Sequence, residues 1–494
     1  MWPAPGSGVL EPVSWLWLGL LTLLAAILRL VGLNQQLWFD EIVTLLDSAR
    51  APFVRIVTQY DLQNQHTLYS ILAHLSIRLL GEQPWTLRLP AALFGIASIP
   101  ALYFFVRLIA SNREALLASA LMAVNYQHIW FSQNARGYTA MVFITLISSV
   151  FFIRCGRDGK TRDWAMYGVA AALGVYCHLT MAFVVVGHAL VYVALLPRAR
   201  RGSRWQRSHL LPLYGLVLSG ILSFLLYSPI IVSVFARTIA SSSHSTATEW
   251  TSPLWAVKEA VRGLSSGSSG GMAALAIGGL VLLAGLIGYW RQSRFLVGLM
   301  LLPALVTAAA VLAEHHNLWP RFFFFEIGFG LLFLVRGAMV CGAIMAGILR
   351  SSEGLGVRIG VGLALLMLLA SVPPLRANYL YPKQDYLGVM SFVESQHQPG
   401  EAIVTAGPVA TPFKTYYGRS WTPVETRGQL DDILRAQPAT WLIYASPTAL
   451  RVIQPDIWDA IQTRFKTVRV FPGTLKGGEI YVCKSNAADE KHQQ

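Results

Sequence analysis

From about Ser14 to Leu375 the chain alternates long apolar runs with short polar loops, and most runs are long enough to cross a bilayer at ~20 residues. Runs at Ser14–Leu33, Leu87–Ile109 and Ala115–Phe131 are followed by others at about 138–153, 164–180, 181–197, 210–234, 272–290, 295–313, 321–349 and 359–375. These predict about eleven transmembrane helices, with the N-terminus inside and the C-terminus outside. Two segments leave the count open. His66–Leu80 is apolar but only ~15 residues long, and His74 and Arg78 interrupt it, so it crosses or lies along the interface. The 321–349 run is long and holds Arg336, which reads as tilted, kinked or two pieces.

After Pro373-Pro374 the periodicity changes. Ala402–Thr405, Thr440–Tyr444, Thr467–Phe471 and Glu479–Cys483 read as strands, and Tyr386–Ser395 and Ile457–Phe465 as helices. The expectation is a polytopic α-helical membrane domain (1–375) whose first outer loop (34–86) is acidic. A small α/β extracytoplasmic domain (376–494) follows it as a support or lid.

Composition agrees: 54% of residues are hydrophobic and 13% charged, about half the charged share of a soluble domain. The net charge of +14 does not point to nucleic acid, because the basic residues sit in short loops between apolar runs. Those loops are Arg107–Arg113, Arg154–Arg162, Arg198–Arg207, Arg291–Arg294 and Arg350–Arg358, which the positive-inside rule makes cytoplasmic. Trp164, Trp205 and Trp290 beside them fit an interfacial belt. Placing every basic loop on one side favours an interfacial His66–Leu80. The four cysteines are widely spaced with no CxxC pair, which argues against a disulfide framework or zinc site. The first run has neither a basic leader nor a small-residue cleavage site and reads as a retained anchor.

Chemistry concentrates in LWFDEIVTLL, Leu37 to Leu46. Adjacent carboxylates where a membrane helix should surface are costly unless they are solvated, paired or reactive. Helical spacing over Phe39–Arg50 puts Asp40, Thr44 and Asp47 on one side and Phe39, Ile42, Val43, Leu45 and Leu46 on the other. That predicts a surface helix whose acidic face can deprotonate an acceptor; the structural alternative is Asp40 as a helix N-cap. His315-His316 are adjacent and face different ways on a helix, so they do not form a shared metal site. The stretches Ser241–Thr251 and Ser265–Gly271 read as linker.

LWFDE, then NQHTLYSILAHLSIRLLGEQPWTLRLPAALFG, then HIWFSQNARGYTAM, in that order, resemble the bacterial branch of the GT-C glycosyltransferases. This is the protein-mannosyltransferase-like (family 39-like) group that includes the aminoarabinose transferases. WPRFFFFEIGFGLLFLVRG resembles that group's late RY-type segment, and the outer α/β tail is similar to one many members carry. The resemblance implies transfer of a hexose or pentose from a polyprenyl-phosphate carrier to a protein, lipid or glycan acceptor. Transfer would occur with inversion, outside the cytoplasmic membrane. It marks Asp40 as general base, with Glu41 orienting the acceptor or joining Asp40 on a divalent cation such as Mg or Mn. The phosphate leaving group is weakly basic and needs cationic stabilisation more than a general acid.

Arg136 and Tyr138 at the membrane mouth, with Arg321 at the start of a late span, are the candidates to hold that phosphate. Arginine matches phosphate in a bidentate fork, although each also fits a headgroup anchor. His66 would polarise the phosphate, bind metal or simply hydrogen-bond. Two positions depart from the group: His66-Thr67-Leu68-Tyr69 replaces a His-Pro-Pro-Leu-Tyr string, and Asn134 replaces the acid of SQEARGY. The second puts the metal in question. A transporter or flippase of lipid-linked sugars is the rival, disfavoured because the charges collect at one face and no inverted repeat pairs broken helices. A non-catalytic envelope-assembly protein is the other, with an inert Asp40 and a large apolar patch as its signature.

Overall fold

The computed structural model describes residues 12–60, 65–200, 207–242, 271–313, 318–475 and 477–485, together with Trp255, Lys258 and Val261. His315-His316, the 243–251 part of the Ser/Thr stretch and nearly all of Ser265–Gly271 lie outside the described residues. The chain divides into two compact units, one of residues up to Leu33 and Ala51–Arg376, the other of Asn34–Arg50 and Ala377–Gln494. The acidic segment thus clusters with the C-terminal residues, not with the helices it connects.

The first unit is helical and makes this a multi-pass membrane protein. Eight described helical runs are long and apolar enough to cross a bilayer, among them Pro12–Leu30, Pro84–Arg107, Tyr138–Asp158 and Arg294–Ala313. The expected Ala115–Phe131 run is broken. Ser111 and Glu114 form a reciprocal capping box that starts Asn112–Val124, and the Asn125 side chain then accepts the His128 N–H to start Tyr126–Ser132. Thr67–Leu80 is a short apolar helix of 14 residues. The 321–349 segment is one helical run, a 3-10 turn over Pro320–Glu326 passing into an α-helix over Ile327–Ile348. Arg336 within it pairs with Glu114 at 3.2 Å and donates to Gln292 Oε1 at 3.3 Å, so its charge is not left in hydrocarbon.

Buried polar side chains lock the helix ends that carry the site. Arg29, fully buried at the end of the first helix, donates to the carbonyls of Ala25, Met122 and Ala123 at 3.0–3.1 Å and to His128 Nδ1 at 2.7 Å. Gln133 Nε2 donates to the Leu28, Arg29 and Val31 carbonyls, covering orphan acceptors at that helix C-terminus. The first residues of SQNARGY therefore anchor the loop that presents Arg136.

The second unit contains a five-stranded sheet of order β2-β1-β3-β5-β4. The strands are β1 (Ala402–Ala406), β2 (Thr422–Val424), β3 (Thr440–Ala445), β4 (Phe465–Phe471) and β5 (Ile480–Ser485). β2, β1 and β3 run parallel, while β5 is antiparallel to β3 and to β4. Central β3 is buried along its whole length, as a near-continuous apolar run should be. Edge strand β4 is exposed at Lys466–Val470 and carries Lys466 and Arg469, charges that discourage further strand pairing. Val404, Leu442, Leu450, Ile457 and Ile461 fill the core between the sheet and its helices.

Candidate active site

His66 precedes Thr67–Leu80 and is buried. Its Nδ1 accepts the Gly137 N–H at 2.8 Å, so the proton of the neutral ring sits on Nε2. That Nε2 lies 3.4 Å from Arg136 Nη2. Both atoms are then donors and neither can satisfy the other, so two N–H groups stand side by side where an anionic oxygen would bridge them.

Tyr138 closes one side. Its ring meets His66 edge-on at 5.2 Å, lies 4.9 Å from Phe131, and has the Arg136 guanidinium over it at 5.9 Å.

Gly137 permits this closeness. A Cβ there would sit 2.8 Å from Cys177 Sγ and 3.0 Å from His66 Nδ1.

His178 belongs to the same cluster, although no motif marks it. Its ring is 4.4 Å from His66 and 5.2 Å from Tyr138. Its Nδ1 accepts the Thr180 backbone N–H at 3.3 Å, which leaves Nε2 as its donor. The signal was a histidine inside an expected apolar run, 164–180; the helix instead ends at Cys177 and releases His178 into the site. Burial first, then the charges of Arg136, His178 and Arg321, hold His66 well below its ordinary range. Burial, then Arg136 and Arg321, lower His178 to about 3. Both rings are therefore neutral at pH 7, donors that carry no charge of their own. Arg321, stacked over Trp319 at 5.1 Å, completes the set in this unit.

Asp40 and Glu41 lie in the other unit. The expected surface helix is a five-residue α-turn, Phe39–Val43, widened into a π-helix over Thr44–Ala49. Its acidic side does not face solvent as the spacing predicts: Asp40, Glu41, Ile42, Thr44 and Leu45 are all buried, and Asp47 alone of the three expected polar positions is exposed. The N-cap is Trp38, with Asp40 one residue inside the helix. Glu41 supplies the cap, its Oε2 accepting the Trp38 N–H at 3.3 Å. Beside them Tyr386 is buried, and burial, then Tyr417 and the Asp40 charge, keep its phenol protonated well above the ordinary range.

Residues 67–231 match the family model described as dolichyl-phosphate-mannose-protein mannosyltransferase. Over nearly its full length the chain also superposes on solved membrane glycosyltransferases. ArnT from Cupriavidus metallidurans, in a structure bound to undecaprenyl phosphate, gives a TM-score of 0.51 at 14% identity, covering 97% of this chain and 99% of that one. The chain carries the GT-C glycosyltransferase fold. AglB, the oligosaccharyltransferase of Archaeoglobus fulgidus, in complex with an inhibitory peptide and a dolichol-phosphate, shares this GT-C fold. It gives a TM-score of 0.51 at 12% identity over 95% of this chain and 74% of that one. No curated protein matches the chain in sequence.

A divalent cation fits the described residues poorly. No group of three or more His, Cys, Asp or Glu among them is arranged to hold one. Glu41 is already engaged with the Trp38 amide, so Asp40 and Glu41 do not form a ready chelate.

Proposed function

We propose that the protein is a glycosyltransferase that takes a sugar from a polyprenyl-phosphate carrier and passes it to an acceptor outside the cytoplasmic membrane. The observation that carries this reading is the pair of donors at His66 Nε2 and Arg136 Nη2, 3.4 Å apart in a buried aromatic setting. The undecaprenyl phosphate and dolichol-phosphate in the ArnT and AglB structures support a donor of the same kind.

In this reading Asp40 accepts the proton of the acceptor group as its nucleophilic atom attacks the anomeric carbon. The C1–O bond to phosphate breaks on the opposite face, its electron pair leaves with the phosphate, and the configuration inverts. Negative charge grows on that phosphate in the transition state, where Arg136, the His66 Nε2–H and Arg321 stabilise it. Neutral histidines can do this because the remaining ring N–H still donates, while the positive charge comes from the arginines. Tyr138 packs against the imidazoles and holds them in place.

Binding of a polyprenyl phosphate to the purified protein tests the phosphate half of the proposal. Arg136→Ala should weaken it by on the order of 10- to 100-fold, and Arg136→Lys by less. Unchanged affinity in Arg136→Ala would remove the cluster from the donor site.

A further inference from the structure

The helix that carries Asp40 is too short to stand alone. An isolated helix of fewer than ~12 residues is marginal in water, and the first N–H groups of any helix have no partner within it. Here the Phe39 N–H donates to the side-chain Oε1 of Gln384 at 3.0 Å, across 345 residues of sequence. Gln384 is 4% exposed, and both ends of its amide are bonded. Its Oε1 also accepts the Tyr386 hydroxyl at 3.0 Å, and its Nε2 donates to the Gly478 carbonyl at 3.0 Å, just before β5. Gln36 braces the same junction from the other strand of chain. Its Nε2 donates to Asp385 Oδ1 at 2.9 Å, and its Oε1 accepts the Leu387 N–H at 3.0 Å. Asp385 Oδ1 in turn accepts the Gly388 N–H and caps Tyr386–Gln396. The backbone on which Asp40 rides is thus tied to the C-terminal sheet domain by the side chains of Gln384 and Gln36.

We propose that Gln384 is a positioning residue for Asp40, and that the C-terminal α/β domain acts as the scaffold of the general base. The inference rests on the reading of Asp40 as the base. It gives the domain an indirect part in the chemical step, by placing the base, where the sequence suggested only a support or lid. Gln384 acts through the Phe39 amide and touches no reacting atom.

The test uses the full-length protein in lipid nanodiscs with a polyprenyl-phosphate sugar it turns over. Wild type, Gln384→Met, Gln384→Glu and Asp40→Asn are compared for kcat, donor KM and amide hydrogen exchange. Methionine keeps the length but removes the acceptor oxygen, and glutamate keeps that oxygen.

Gln384→Met should lower kcat on the order of 10- to 100-fold, as a misplaced base does, with donor KM within about twofold. Exchange in the peptide covering residues 37–46 should rise, while β3 stays protected. Gln384→Glu, which keeps the acceptor for the Phe39 N–H but loses the donor to the Gly478 carbonyl, should show more protection at 37–46 and a higher kcat than Gln384→Met. Unchanged exchange at 37–46 in Gln384→Met overturns the proposal. So does an undiminished kcat alongside an inactive Asp40→Asn. Wild-type turnover in Asp40→Asn would instead remove the base assignment itself and the inference with it. If Gln384→Met also loosens β3, Gln36→Leu makes the same comparison from the edge of the junction and is judged by the same outcomes.

Discussion

His66 Nδ1 accepts the backbone amide proton of Gly137 at 2.8 Å, and that single bond decides which edge of the imidazole faces Arg136. The histidine before Thr67–Leu80 and the glycine of SQNARGY are 71 residues apart, and neither alone explains the other. Together they fix a neutral donor beside a guanidinium.

Gly137→Ala should therefore disturb His66 before anything else. The added Cβ meets Cys177 Sγ and His66 Nδ1 at distances no Cβ tolerates comfortably, and overpacking of this kind costs about 1–3 kcal/mol. Donor affinity should fall with stability. Gly137→Ala combined with Cys177→Ala should recover part of both, since it clears the shorter of the two contacts. Wild-type donor binding in Gly137→Ala would contradict the geometry.

Acid should destabilise the protein through its buried histidines. In the unfolded chain His178 takes up a proton below about pH 6.5, whereas the folded site, where burial, Arg136 and Arg321 oppose its charging, resists until about 3. His66, lowered by burial, Arg136, His178 and Arg321, acts in the same direction. Their contribution is complete above about pH 6.5 and declines as pH falls from there toward the folded value. Melting curves at pH 7.5 and pH 5 should show a drop in Tm that shrinks in His178→Gln. A drop of the same size in the variant would mean that His178 is not held neutral.

Arg29→Met should be among the more damaging changes in the membrane unit. It removes four donor contacts and takes from the Ala123 carbonyl and His128 Nδ1 the guanidinium they accept from, at a cost on the order of 3 kcal/mol. Thermal unfolding in detergent measures this directly. A loss below about 1 kcal/mol would show that those acceptors find other partners.

Much of this architecture was legible in the sequence, for reasons that also explain what was not. β3 announced itself as Thr440–Tyr444 because a central strand buried on both faces is a plain apolar run, and the structure extends it by one residue to Ala445. β2 escaped because Pro423 sits in a three-residue edge strand, where proline costs no ladder bond. The amphipathic helix Arg427–Ala436 was also missed, although Thr426 and Gln429 form its capping box.

Asn125 lay inside an apolar run whose length suggested one span, and only its side-chain cap reveals two helices. In the candidate site, Arg136, Tyr138, Arg321 and His66 were readable as a set because short motifs carried them. His178 was not, since its role depends on a helix ending where hydropathy continues. The burial of Asp40 could not be inferred from helical periodicity, because the groups that cover its helix lie more than 300 residues further along the chain.

The most direct test of the central claim is release of free polyprenyl phosphate from a panel of polyprenyl-phosphate sugars, by wild type and by folded Asp40→Asn. Wild type should turn over at least one donor and Asp40→Asn should lose about 100-fold or more, the range expected when a general base is removed. Equal turnover by the two proteins would contradict the claim.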